Sequence, residues 1–567
     1  MHAFFIEILQ MIYFIGVTAL GWLIPNHYYP WTSAWGDGVA IFGILFALFG
    51  ISVNRNHDFY ISLKLIVFFI LCFFMIVAQF LFGKIVYFGD AWMSAFYIFI
   101  WLSAVFVGNY IAYPIFNKSE VIDYVLSTWI ISAIFSVGVA LVQWTGVYSL
   151  GIYGVEMPFG GRPYANLAQP NNLCTLCFVG LCSLFWMHQK NVVKGVFFWI
   201  GIIFLIFGMV MTQSRTGWLQ ITLLVVFGWG VRGKVALKIS RFQLSVIGVG
   251  FLLLTIVWPN LCDALFLSTG RSLEEQVKPG SRLSYWWSML DAISREPLWG
   301  YGWNQIGMAQ QRVALDYPVA GEFFEHSHNL FLDFILWNGV LVGGGLVLIL
   351  ISWFLKHIWI CKNPGVIWML ISLCGIFVHG MLEYPLEYAY FLIPAGIIMG
   401  IADGLSPDGK GASLKINCRI FLFLPIFLSI AFLITAKDYL KSEESYRTLR
   451  VESARLGVDG VSQAIPNLNV LTQLDAFLKF IHTEATPEMT ENQLKNIKEV
   501  SERFGYPPVL FRYALASGIN GDSSAAKDTL NKICHIHGNL RCAEARENWI
   551  ILQSKYKELI DVEFPNY

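Results

Sequence analysis

Glu325-His326-Ser327-His328-Asn329-Leu330-Phe331-Leu332-Asp333-Phe334-Ile335-Leu336-Trp337 marks the point where the longest polar loop of the chain runs into a long apolar segment. That segment extends over 329–355, and a helix needs about 20 such residues to cross a bilayer. Similar blocks recur at 3–24, 38–53, 60–82, 91–116, 120–143, 168–187, 195–211, 215–231, 242–262, 365–381, 387–402 and 420–436. Together they make about thirteen spans. Composition agrees: 56% of the residues are hydrophobic and 13% charged, against about 25% charged in soluble domains, and mean hydropathy is +0.59. The expected fold is an all-α polytopic membrane protein. The first span lacks a basic leading region and a small-residue cleavage site, so it reads as a retained helix. Zero net charge and the lack of a Lys/Arg-rich patch argue against a nucleic-acid partner.

Basic residues set the orientation, because cytoplasmic loops carry the excess of Lys and Arg. One alternate set of loops holds Arg55, Lys118, Lys190, Lys194, Arg232, Lys234, Lys238, Arg241, Lys356, Lys362, Lys410, Lys415 and Arg419. The short loops of the other set hold Lys84, Arg162 and Arg215. The N-terminus is therefore expected in the cytoplasm. The loop 263–328 and everything after residue 436 are expected outside, so 1–436 reads as the transmembrane part and 437–567 as a small helical outer domain. In that domain Lys441-Ser442-Glu443-Glu444-Ser445 should continue the last span as a polar helix. Apolar spacing predicts short helices near 467–482, 489–504, 507–517, 522–535 and 541–560. Cys534 and Cys542 suit a disulfide in an oxidising compartment.

The conspicuous polar motifs all fall on the outer face. Arg162-Pro163-Tyr164-Ala165-Asn166-Leu167-Ala168-Gln169-Pro170-Asn171-Asn172 precedes a span. Pro170 suits a first helical turn, and the amides of Asn166 and Gln169 suit sugar hydroxyls or diphosphate oxygens. Thr212-Gln213-Ser214-Arg215-Thr216-Gly217 places an arginine in a tight turn, where its fork can grip two phosphate oxygens. Gly280-Ser281-Arg282 supplies a second cation, followed by Tyr285-Trp286-Trp287, which reads equally as an interfacial belt or a stacking surface. His328, at a helix mouth, suits a general base; His326 either orients it or is solvated. His-x-His with only Glu325 nearby lacks the further ligand a metal site needs. In Glu383-Tyr384-Pro385, Tyr384 can donate a hydrogen bond to a ligand. No Asp-x-Asp pair stands in an outer loop, so Arg215 and Arg282 would themselves stabilise a diphosphate leaving group. No ATP is available outside, so a reaction there needs an already activated substrate.

These motifs resemble those of the O-antigen ligase-like superfamily of bacterial inner-membrane proteins. The stretch 162–172 is most similar to the branch that glycosylates proteins, the pilin glycosylation ligase type. The resemblance implies a glycosyltransferase that moves a preassembled oligosaccharide from an undecaprenyl diphosphate carrier to Ser or Thr of a periplasmic protein such as pilin, with no metal or cofactor. It also implies His328 as base, Gln169 and Tyr384 as polar pocket residues, and Arg215 and Arg282 as diphosphate ligands. Sibling readings are O-antigen ligase, with lipid A-core as acceptor, and O-antigen polymerase. A transporter would instead put polar groups at mid-bilayer within internal repeats, and neither is evident.

Overall fold

The computed structural model describes residues 14–53, 58–112, 118–158, 160–268, 270–271, 274, 282–406, 413–417, 423–453 and 466–565. Part of the first expected span, Gly280 and Ser281 lie outside these residues. The chain is predominantly helical, and eight described helices are long and apolar enough to cross a membrane: Ala34–Ser52, Leu63–Leu81, Phe88–Ile111, Glu120–Thr145, Pro170–Gln189, Arg241–Ala264, Leu330–Ile360 and Phe423–Thr448. Shorter apolar helices occupy Phe14–Leu23, Gly195–Met211, Pro364–Gly380 and Ala389–Gly404. One departure from an all-helical chain is a two-stranded antiparallel sheet that pairs Asp58–Ser62 with Ser413–Asn417. Its Phe59 and Ile61 are buried. The expected span 60–82 therefore begins as a strand and turns helical only at Leu63.

The helices divide into two compact units. The first comprises the described residues of Met1–Ile70, Phe96–Lys278 and Ile349–Phe432. Within it Pro170–Gln189 is the most enclosed of the eight long apolar helices, with 89% of its most apolar stretch buried. It packs on Lys118–Thr145, Gly195–Met211, Arg215–Val231 and Pro364–Gly380. Its Cys174, Cys177, Gly180, Cys182 and Ser183 are all buried, and small side chains of this kind let neighbouring helices approach. A helix enclosed on every side rigidly presents whatever its N-terminus carries.

The second unit comprises the described residues of Leu71–Ala95, Pro279–Leu348 and Leu433–Tyr567. Its notable element is the helix Leu330–Ile360, which is broken at Gly339 (φ 75°). The break leaves carbonyls without helical donors, and the loop after Pro297 supplies them. Tyr301 N donates to Leu336 O at 2.7 Å, and Gly302 N to Trp337 O at 3.2 Å. Gln79 Nε2 adds a 2.6 Å bond to Trp337 O, while Val340 N donates to Pro297 O at 2.8 Å. A Cβ on Gly339 would stand 2.2 Å from Leu298 O, and one on Gly300 2.4 Å from Leu336 O. Only glycine permits this approach.

Phe423–Ser453 is one unbroken helix, so Lys441–Ser445 does continue the last apolar segment. Asp438 on it accepts from Val470 N at 2.7 Å and Leu471 N at 3.3 Å, which anchors the chain where the following helices start. Those helices are Thr472–Ile481, Glu491–Arg503, Pro507–Ile519 and Ser523–Lys555, the last interrupted at Gly538 (φ 80°). Leu510, Leu530, Ile533 and Trp549 form one small core, and Phe480, Ile497, Val500 and Phe504 another. The corner at Gly538 is stapled by a disulfide between Cys534 and Cys542. Loop-closure entropy for a separation of 8 residues gives roughly 2.5 kcal/mol of stabilisation. A Cys534→Ser, Cys542→Ser variant should therefore unfold its helical region at lower temperature, by scanning fluorimetry, and should lose the sensitivity of the native protein to reductant.

Candidate functional site

In the first unit Asn171 is the hub of the polar cluster. Ser214 Oγ donates to Asn171 Oδ1 at 2.6 Å, and Asn171 Nδ2 donates to Glu383 Oε1 at 3.0 Å. One amide thus ties together three motifs that are far apart in sequence: the amide-rich stretch, the arginine turn and the Glu-Tyr-Pro turn. Arg162 adds a looser link, with Nη1 3.5 Å from Thr212 O and 3.4 Å from Gln213 O. Gln169 is the N-cap residue of Pro170–Gln189, with Pro170 in the first turn as expected. Its side chain makes no capping bond, and its Oε1 is buried without a hydrogen-bond partner. Asn172 is 1% exposed, and both ends of its amide lack partners. Leaving a buried amide unsatisfied costs about 1–3 kcal/mol.

Arg215 is the first residue of Arg215–Val231, whose N-cap Ser214 accepts from Thr216 N. The guanidinium is half-buried beside a positive helix end, a setting that favours anions. Tyr384 is half-buried, with its ring 5.8 Å from that of Tyr388. Behind it, the buried Asp37 accepts from Ala389 N at 2.6 Å, Ser33 Oγ at 2.5 Å and Tyr97 OH at 3.1 Å. Asp37 thereby caps the helix that follows the Tyr384 turn and fixes where that turn ends.

Asn166 is a correction to the sequence reading. Its Nδ2 donates to Leu23 O at 2.8 Å and Tyr153 O at 3.1 Å, and its Oδ1 accepts from Val155 N at 3.2 Å. The side chain braces the loop and has no spare donor for a ligand. Gln143, a lone amide in an apolar helix, does similar work. Its Oε1 accepts from Tyr164 N at 3.1 Å and Ala165 N at 2.8 Å. The sequence reading passed over Gln143 and Asp37 as site builders. It also missed a buried chain in which Gln220 Nε2 donates to Thr175 Oγ1, itself hydrogen-bonded to His379 Nδ1, both at 2.9 Å. The available signal was an isolated polar residue inside an apolar span.

The second unit holds Arg282, His326 and His328. Arg282 is the first residue of Arg282–Arg295 and half-buried. From that helix Trp286 Nε1 donates to Ser327 O at 2.9 Å and Tyr285 OH to His326 O at 3.4 Å. These two aromatics therefore hold the histidine loop, while Trp287 is 66% exposed and suits the interfacial belt. Burial raises the Tyr285 phenol well above its ordinary pKa, so it remains a donor. Asp333 grips Ser327 twice, accepting from its N at 2.9 Å and its Oγ at 2.5 Å. Asn329 Oδ1 accepts from Phe331 N at 3.1 Å, opening the helix as a cap does. His328 sits among these restraints in the left-handed region, with φ 55°. A non-glycine residue there costs on the order of 1–3 kcal/mol and persists only where its surroundings enforce it. Its ring meets Phe324 edge-on at 5.3 Å.

Glu325 is bonded from behind by the C-terminal helices. Arg503 Nη1 donates to Glu325 Oε1 at 3.1 Å, while Nε and Nη2 reach the two carboxylate oxygens of Asp90 at 2.9 and 3.1 Å. Burial alone would lower the Arg503 pKa, but Asp90 and Glu325 hold it above the ordinary guanidinium value. Gln311 Nε2 donates to Ser501 O at 3.1 Å and Glu502 O at 2.9 Å and reinforces the junction. Among the described residues there is no group of three or more His, Cys, Asp or Glu that could hold a metal ion.

The family model described as "O-Antigen ligase" matches residues 200–349, which include Arg215, Arg282, His326 and His328. A second, described as "Virulence factor membrane-bound polymerase, C-terminal", matches 367–548, which include Tyr384 and Arg503. The chain resembles the O-antigen ligase-like superfamily. Two relatives from Acinetobacter baylyi (strain ATCC 33305 / BD413 / ADP1) extend the likeness to nearly the whole chain. A "General O-oligosaccharyltransferase" is 26% identical, over 92% of this chain and 91% of that one. A "ComP-specific O-oligosaccharyltransferase" is 26% identical, over 94% and 96%. Arg503→Ala would leave a buried carboxylate unpaired, a loss of about 3 kcal/mol. Its melting temperature should fall well below that of an Arg541→Ala control, whose ion pair with Glu544 is exposed.

Proposed function

We propose that the protein transfers a preassembled oligosaccharide en bloc from an undecaprenyl diphosphate carrier to Ser or Thr hydroxyls of periplasmic proteins such as type IV pilin. The observation that carries this reading is the likeness, over more than nine-tenths of the chain, to two proteins named O-oligosaccharyltransferase. In this reading the chain lies in the bacterial inner membrane with its N-terminus cytoplasmic. Residues 1–436 form the catalytic membrane domain, and 263–328 and 437–567 are periplasmic. The Cys534–Cys542 disulfide supports an oxidising compartment for the last segment.

His328 removes the proton of the acceptor hydroxyl. The oxygen attacks the anomeric carbon as its bond to the diphosphate breaks, with inversion at that carbon. Negative charge collects on the departing diphosphate, where Arg215 and Arg282 stabilise it without proton transfer. Gln169 Oε1 and the amide of Asn172, buried without protein partners, suit sugar hydroxyls or diphosphate oxygens, and Tyr384 offers a phenol as a further donor. His326 orients or neighbours the base. The match to the O-antigen ligase description over 200–349 supports ligation to lipid A-core as a second reading, with the same base and donor.

Purified protein, lipid-linked oligosaccharide and either pilin or lipid A-core decide between the two. Transfer to pilin is expected, and glycan appearing on lipid A-core alone would sink the protein-acceptor reading. His328→Ala should slow transfer by about 10²–10⁴ with donor binding retained; full activity would remove it as base. Arg215→Lys keeps the charge but loses the two-pronged grip, so the KM for donor should rise while the protein still folds.

A further inference from the structure

The second unit contains a cavity of about 990 Å³ built from the C-terminal helices and one piece of the histidine loop, Glu322 and Phe323. Its lining includes an aliphatic and aromatic set: Phe323, Phe511, Leu515, Ile533, Leu552 and Tyr556. Charges of both signs rim it, and most of the cations are already engaged. Arg512 Nη1 donates to three carbonyls, Phe480 O at 2.7 Å, Ile481 O at 2.9 Å and Thr483 O at 3.2 Å. Arg541 is paired with Glu544 at 2.7 Å, and His537 Nε2 is hydrogen-bonded to Gly505 O at 2.8 Å. A cavity for a diphosphate or an acidic glycan would keep its cations facing inward. This one offers apolar depth under a rim of balanced charge.

Its wall leads directly to the histidines. Gln310 clamps the backbone on either side of Phe323, with Nε2 donating to Glu322 O at 2.9 Å and Oε1 accepting from Phe324 N at 2.8 Å. The Phe323 ring stands edge-on to Tyr506 at 5.4 Å. Two residues later Glu325 is held by Arg503, and His326 and His328 follow. A molecule seated against Phe323 therefore touches the same short, braced segment that carries the proposed base.

We propose that this cavity is the docking groove for a polypeptide segment of the acceptor, one that inserts apolar or aromatic side chains between the C-terminal helices. The inference rests on the protein-acceptor function argued above and adds where the acceptor is gripped. Apolar anchors in a dry pocket ringed by polar groups are how protein segments gain most of their binding energy.

Asn548 lines the cavity and is exposed, so Asn548→Trp fills the opening without disturbing the core. Leu552→Arg, at a half-buried lining position, is the second variant. The full-length enzyme in nanodiscs would be assayed with purified type IV pilin and fluorescent undecaprenyl diphosphate oligosaccharide. Both variants should raise the KM for pilin by about tenfold or more, with kcat at saturating pilin and the KM for donor unchanged. An unaltered pilin KM in Asn548→Trp overturns the groove while leaving the function intact. A raised donor KM overturns it in favour of a glycan occupant. Failure of the unmodified enzyme to glycosylate pilin at all would remove the function itself, and the groove's assignment with it.

Discussion

A peptide group inside hydrocarbon has no water to bond, so each must find a partner within the protein. Much of the arrangement around the histidine loop follows from that constraint. Breaking Leu330–Ile360 at Gly339 exposes the carbonyls of Leu336 and Trp337, and the backbone of Tyr301 and Gly302 answers them together with Gln79. The answer works only because Gly300 and Gly339 carry no side chain. The break lets a short helical piece, 330–338, be positioned by the loop before it as well as by the helix after it. His328 and Asn329 sit at the mouth of that piece.

Electrostatics then immobilises what the backbone has placed. Asp333 fixes Ser327 from the helix side, Trp286 and Tyr285 fix the loop carbonyls, and Arg503 fixes Glu325 from the C-terminal helices. A general base must stay within hydrogen-bond reach of the proton it takes, and flexible loops serve that need poorly. Here the residue just before His328 is buried and makes four hydrogen bonds, and His328 itself is held in a backbone conformation it would seldom choose. Such strain is characteristic of functional positions.

The helical membrane architecture was legible in the sequence because hydropathy is a local property: each span announces itself in about 20 residues. The motifs were legible too, since amides and arginines beside apolar runs are conspicuous. Their roles were less so. Asn166 looked like a ligand residue of the same kind as Gln169, yet its partners are backbone atoms of Leu23, Tyr153 and Val155, which no spacing rule points to. The strand at Asp58–Ser62 was hidden because its partner lies at Ser413–Asn417. Nothing local singles out Gly339 among the glycines of its apolar segment, because the loop that requires it comes from residues 297–302. Arg503 carries no local signal in the sequence; only the fold brings Asp90 and Glu325 to it.

The chemistry proposed for the outer face asks little of the protein beyond placement. The donor arrives activated, so the enzyme must take one proton and steady one departing anion. What it must do well is choose the acceptor, because water is a smaller and far more abundant hydroxyl. The segment Glu322–His328 bears on both tasks. Its first two residues line the cavity among the C-terminal helices, and its last is the proposed base. Because Gln310, Arg503, Trp286 and Asp333 brace the segment along its length, a displacement of Phe323 cannot be absorbed within a slack loop. On the proposed function, the same backbone that would feel an acceptor also sets the position of the imidazole, a coupling that a base on an isolated helix would lack.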